Sequence, residues 1–291
     1  MTRARALDLV RAGFVLVALG CAAWGFHGRW GEIADAAGRV GPGRLVAGWL
    51  LATAGLCLTA VLWRHCLRWA GSELAVPAAA RVFFVGQLGK YIPGSIWNFA
   101  AQAQLGRPLG VPARASLTAS GVFLLVHTLT GAAAGAALVA AGPLDAPGPR
   151  WVWALSAAAA LAALAVLAAG SRGRLAVRGR DLAGAVGLMG LVWTAYGAAL
   201  LALLPTLGPT DLPLAVGVFA LGHVAGVIVV FAPAGLGARE ATMIALLAPA
   251  VGFGAATAAA LLVRIVHTVA DLVLAAASWS ASNRGQNGQI S

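Results

Sequence analysis

The chain has 291 residues, 60% of them hydrophobic and only 10% charged, with a net charge of +11. Soluble domains carry about 25% charged residues, so the composition excludes a soluble globular protein, and no polar stretch is long enough to fold apart from the apolar runs. Most of the positive charge is arginine placed between those runs, where it orients helices and meets anionic lipid headgroups, so it does not argue for a nucleic-acid partner.

A helix needs about 20 apolar residues to cross a bilayer. The first such run is 7–26; Arg3, Arg5 and Arg11 precede its apolar stretch ending in "ALGCAA". That ending resembles a lipoprotein cleavage site around Cys21, but Ala18 stands where leucine is usual, so the run is read as an uncleaved helix. The second span is 44–69. Its Cys57 and Cys66 would lie about 13 Å apart along one helix, too far for a disulfide. A stretch interrupted by Pro and Gly, 72–108, comes next. Spans at 115–141, 151–170 and 182–204 follow, then a second interrupted stretch at 212–251. A last span at 255–280 leads to a polar tail at 282–291. The expected fold is an all-α integral membrane protein with one polytopic domain over 1–281: six full transmembrane helices plus two re-entrant helical hairpins.

Orientation follows from the basic residues. The N-terminal arginines, the segment from Arg64 to Arg114, and Arg172, Arg174, Arg178 and Arg180 should face the cytoplasm. Both termini are then cytoplasmic and the protein is multi-pass in the cell membrane. Trp24, Trp30, Trp63, Trp69, Trp151 and Trp153 fall near span ends, as interfacial aromatic belts require.

One shift relates two parts of the chain. His127-Thr128 recurs as His267-Thr268, an offset of 140 (267 − 127), and the same offset carries Pro93 to Pro233 and Gly86 to Gly226. This divides the domain into repeats of about 7–141 and 147–281. Three spans per half is an odd number, so the second half would enter the membrane inverted, the common plan of secondary transporters.

The interruptions carry the chemistry. "GKYIPGSIWNF" (89–99) holds Lys90, Tyr91, Pro93, Gly94 and Trp97, and "FAPAGLGARE" (231–240) holds Pro233, Gly235, Gly237, Arg239 and Glu240. Backbone groups freed in hydrocarbon cost several kcal/mol each unless protein or water meets them. One such break reads as a packing kink, but two at matched positions point to a transport site. Helices starting at the breaks would aim their positive N-terminal ends at a shared centre. Lys90 and Arg239 would attract a phosphate there, Tyr91 and Trp97 would line the path, and Glu240 would pair with Arg239 when the site is empty. On the last span Arg264, His267 and Asp271 share a face at i, i+3 and i+7. They form either a self-neutralising Arg264–Asp271 pair with His267 as filler, or a proton or headgroup relay. His127 and Thr130 are the lesser counterparts. No catalytic residue, metal or cofactor is expected.

"LGKYIPGSIWNFAAQAQLGRPLGVPARAS" and "PAGLGAREA" resemble the membrane domain of lysylphosphatidylglycerol synthase, which also occurs as stand-alone flippase-like proteins; the resemblance covers nearly the whole chain. It implies lipid transport. The best-known members add a cytosolic aminoacyltransferase domain and flip the aminoacylated lipid outward; that domain is not in this sequence, so synthase activity is not expected. Gln102 and Gln104 stand where the resemblance would lead one to expect charge in some relatives. The expected function is flippase-like translocation of an anionic or lipid-linked glycan headgroup, with membrane lipids as partners. The alternatives are a proton-coupled secondary transporter of a small polar anion, working through His267 and Asp271, and a non-transporting scaffold for an envelope enzyme.

Overall fold

A computed structural model describes residues 28–92, 97–170, 179–229 and 235–287. Every regular element among them is helical: α1 (Trp30–Gly38), α2 (Gly41–Trp69), α3 (Val76–Gln87) with a 3-10 turn (Leu88–Tyr91), α4 (Trp97–Gly106), α5 (Ala113–Ala141), α6 (Arg150–Gly170), α7 (Gly179–Ala202), α8 (Leu212–Ile228), α9 (Ala238–Val251) and α10 (Phe253–Asn287). Six stretches among the described residues are long and apolar enough to cross a membrane: Gly41–Trp69, Ala113–Ala141, Arg150–Leu167, Gly179–Ala202, Pro209–Ile228 and Phe253–Ala281. The protein is thus an all-helical, multi-pass membrane protein.

Five of these stretches lie within a few residues of the spans expected from the apolar runs. The sixth, Pro209–Ile228, belongs to the second interrupted stretch. Pro213 does not interrupt it, because it sits in the first helical turn, where no backbone hydrogen bond is lost. The break comes later, after Ile228. The last helix also runs to Asn287, into the segment expected as a polar tail, since polar residues do not by themselves end a helix that is already propagating. The expected span 7–26 and the arginines at 172, 174 and 178 lie outside the described residues, as do Pro93, Gly94 and Pro233.

Each interrupted stretch folds into two helices that pack against each other, α3 on α4 and α8 on α9. Glycine makes both approaches feasible. A Cβ on Gly89 would stand 2.5 Å from the backbone nitrogen of Asn98, and one on Gly235 would stand 2.7 Å from the Cα of Gly226. Gly235 and Gly237 also have φ of +69° and +89°, a region that favours glycine.

The order of elements recurs along the chain. α7 begins 138 residues after α2 (179 − 41), α8 136 after α3 (212 − 76), α9 141 after α4 (238 − 97) and α10 140 after α5 (253 − 113). Packing follows the same exchange: α3 meets α10 as α8 meets α5, and α2 meets α10 as α7 meets α5, with α2 and α7 against each other. Inside, an aromatic chain runs from Trp63 through Phe83, Phe123 and His127 to Trp193, with centroid separations of 5.8, 5.6, 5.4 and 4.8 Å. α6 leaves most of its apolar surface outward, as a lipid-facing helix must.

Candidate functional site

Five helices and the 3-10 turn bring ionisable side chains to one place. α10 crosses between the two broken segments and presents Arg264, His267, Thr268 and Asp271. The turn after α3 delivers Lys90, whose Nζ lies 2.6 Å from Asp271 Oδ2. Tyr91 donates its hydroxyl hydrogen to the same Oδ2 at 2.7 Å, with Thr268 Oγ1 at 3.3 Å. The first turn of α9 delivers Glu240, which pairs with Arg264 through Oε1 and accepts the Gly237 N–H through Oε2 at 2.7 Å. α10 is therefore tied to both broken segments by ion pairs seven residues apart, about 10 Å along the axis.

These partners differ from those expected. Arg264 takes Glu240 rather than Asp271, and Asp271 takes Lys90. On a helix, i and i+7 share a face but stand two turns apart, too far for a direct bond. Arg239 and Glu240, being adjacent, point about 100° apart and do not pair. The N-terminus of α9 differs too: Glu240 itself occupies the Gly237 amide that was expected to meet an anion.

Arg239 is left over. Its guanidinium carbon stands 4.6 Å from the Phe219 ring centroid, a cation–π contact. It has no ion pair among the described residues, and its Nη2 is sealed from solvent with no hydrogen-bond partner. The cluster thus holds three cations, Lys90, Arg239 and Arg264, against two carboxylates, Glu240 and Asp271. One positive charge, on the half-buried Arg239, is uncompensated among the described residues.

Around it stands a wall of rings. Tyr196 stacks on Phe219 at 4.9 Å, and His267 lies 5.2 Å from Phe219 and 5.1 Å from Tyr196. His127 stacks on Trp193 at 4.8 Å and sits 4.4 Å from His223. Trp193 donates its indole N–H to Thr130 Oγ1 at 3.2 Å. The Nε2 atoms of His127, His223 and His267 are all buried without a partner among the described residues. No group of three His, Cys, Asp or Glu among the described residues is arranged to hold a metal ion.

Of the candidate residues, Lys90, Tyr91, Arg239, Glu240, Arg264, His267, Asp271 and His127 converge here. Gly235 and Gly237 shape the turn into α9. Trp97 opens α4 with its backbone packed against Gly89, and it is 40% exposed. Gln102 is buried and accepts the Ser120 hydroxyl at 2.5 Å, so it anchors α4 to α5, whereas Gln104 is exposed. His223, Trp193, Tyr196 and Phe219 had no signal in the sequence beyond being rings within apolar runs. His223 is a lone histidine with no match at the 140 offset, where Phe83 stands.

No protein-family model matches the chain, and no curated protein matches it in sequence.

Proposed function

We propose that the protein is a flippase-like translocase of the cell membrane, carrying the anionic headgroup of a lipid through the centre between the two broken segments while the acyl chains stay in the bilayer. The observation that carries this reading is the uncompensated charge of Arg239. A lone, half-buried charge among apolar membrane helices is costly and usually marks a substrate path. A phosphodiester brings one negative charge and only acceptor atoms, which is what the guanidinium lacks. Lys90 and Arg264 are already neutralised by Asp271 and Glu240, so they hold the broken segments in place while Arg239 makes the first contact with the headgroup.

The same charge balance bears on the headgroup type. An aminoacylated lipid, implied by the resemblance to lysylphosphatidylglycerol synthase, brings ammonium groups into a centre that already has excess positive charge. A non-acylated phosphodiester or a lipid-linked glycan phosphate suits it better. In this proposal α3–α4 and α8–α9 are the re-entrant hairpins of an inverted-topology repeat, entering from opposite faces, with both termini cytoplasmic. Cysteine labelling at Thr2 and Ser291 is expected to reach both from the cytoplasmic side; labelling from opposite sides would overturn the inversion.

Binding tests the headgroup reading. Phosphatidylglycerol, a monoanion, is expected to raise the melting temperature of the detergent-solubilised protein, and zwitterionic phosphatidylcholine is expected to leave it nearly unchanged. Equal stabilisation by both lipids would count against an anion site.

A further inference from the structure

We infer that His267 makes the site selective for headgroups that carry a hydroxyl beside the phosphodiester. The inference rests on the anionic-headgroup reading above and narrows it. His267 Nδ1 lies 2.8 Å from the carbonyl oxygen of Val263, one turn earlier on α10. A carbonyl oxygen only accepts, so Nδ1 carries the hydrogen. The neutral ring then offers a lone pair at Nε2 and no proton. That atom is sealed from solvent and has no partner among the described residues. Arg239 Nη2 is equally sealed and has no partner among the described residues, but it is a donor. Both groups rest against the Phe219 ring, the imidazole at 5.2 Å and the guanidinium carbon at 4.6 Å.

The two unmet needs are complementary. A ligand that meets both must accept at one end and donate at the other. A bare phosphodiester only accepts and would leave Nε2 unpaired, at the cost of a buried polar atom without a hydrogen bond. An ammonium group would donate, but it would restore the positive charge that the phosphate had just neutralised. A hydroxyl donates without charge. The ligand class is therefore a phosphodiester bearing glycerol or a sugar. His127 and His223, with their rings 4.4 Å apart and both Nε2 atoms unpartnered, extend the same wall and can meet a further hydroxyl as donor or acceptor.

Phosphatidylglycerol and phosphatidylmethanol carry the same phosphodiester charge, and only the first has hydroxyls. Their apparent affinities, read by thermal stabilisation of the solubilised protein, are expected to differ by about tenfold in favour of phosphatidylglycerol, the effect of one hydrogen bond to a buried acceptor. In His267→Phe the ratio should fall to within about twofold, and His267→Gln, which keeps an amide oxygen as acceptor, should retain part of it. Equal affinities in the unmodified protein would overturn the inference, as would a ratio that survives His267→Phe. Where His267→Phe does not fold, the ratio in His267→Gln and in the unmodified protein decides. If both lipids bind better than phosphatidylcholine but equally, only the hydroxyl selectivity fails. If neither does, the anionic-headgroup reading fails with it. Glycerophosphoglycerol, the same headgroup without acyl chains, is expected to bind much more weakly; binding as tight as the lipid's would assign the site to a soluble phosphodiester.

Discussion

Lys90→Gln is expected to destabilise the protein by about 3 kcal/mol, because it strands a buried carboxylate. Asp271 is 3% exposed and Lys90 29%, so the acid bears the cost when its partner is removed. The loss should fall at the lower end of the range for broken buried pairs, since the Tyr91 hydroxyl still donates to the same Oδ2. The double change Lys90→Gln with Asp271→Asn should recover most of the stability, because a neutral amide at 271 keeps the Tyr91 bond and no charge remains to be buried. Denaturation of the purified protein in detergent measures both. A Lys90→Gln protein as stable as the unmodified one would show that this pair does not hold the first broken segment to α10. A double variant as damaged as the single one would show that the loss comes from packing rather than charge.

Arg239→Gln should act in the opposite way, harming ligand binding more than folding. Glu240 keeps its bonds to Arg264 and to the Gly237 amide, so no carboxylate is stranded. Removing a half-buried cation with no ion pair among the described residues relieves a cost of the empty protein. What is lost is the charge-assisted hydrogen bond to a phosphate, about 1.5–3 kcal/mol, so the apparent Kd for phosphatidylglycerol should rise about tenfold or more. Arg239→Lys should lie between the two, since an ammonium keeps the charge but not the fork of donors. Titration of phosphatidylglycerol against thermal stability reads all three proteins, with Arg107→Gln, in an exposed turn, as control. An unchanged Kd in Arg239→Gln would remove Arg239 from the site.

How far these features could be read in advance depends on whether they are local. The spans Gly41–Trp69 and Ala113–Ala141 stand out because length and apolarity in one segment suffice to define a membrane helix. The two breaks were legible in part because glycine acts on the backbone directly, as the close approach at Gly89 and the positive φ of Gly235 and Gly237 show. The pairing of charges was not. Lys90 finds Asp271 across 181 positions, and Glu240 finds Arg264 on the next helix, through packing that no helical periodicity encodes. The ring wall was hidden for a related reason. Trp193, Tyr196 and Phe219 look like any apolar residue of a membrane helix, and only their convergence with His127, His223 and His267 gives them a role.

Translocation itself is tested most directly in proteoliposomes, with fluorescent phosphatidylglycerol and fluorescent phosphatidylcholine quenched by an impermeant reductant. The protein is expected to expose the phosphatidylglycerol of the inner leaflet to quenching, to leave phosphatidylcholine at the rate of protein-free vesicles, and to lose the difference in Arg239→Gln. Equal rates for the two lipids, or an Arg239→Gln protein as active as the unmodified one, would contradict a centre that moves headgroups by their negative charge.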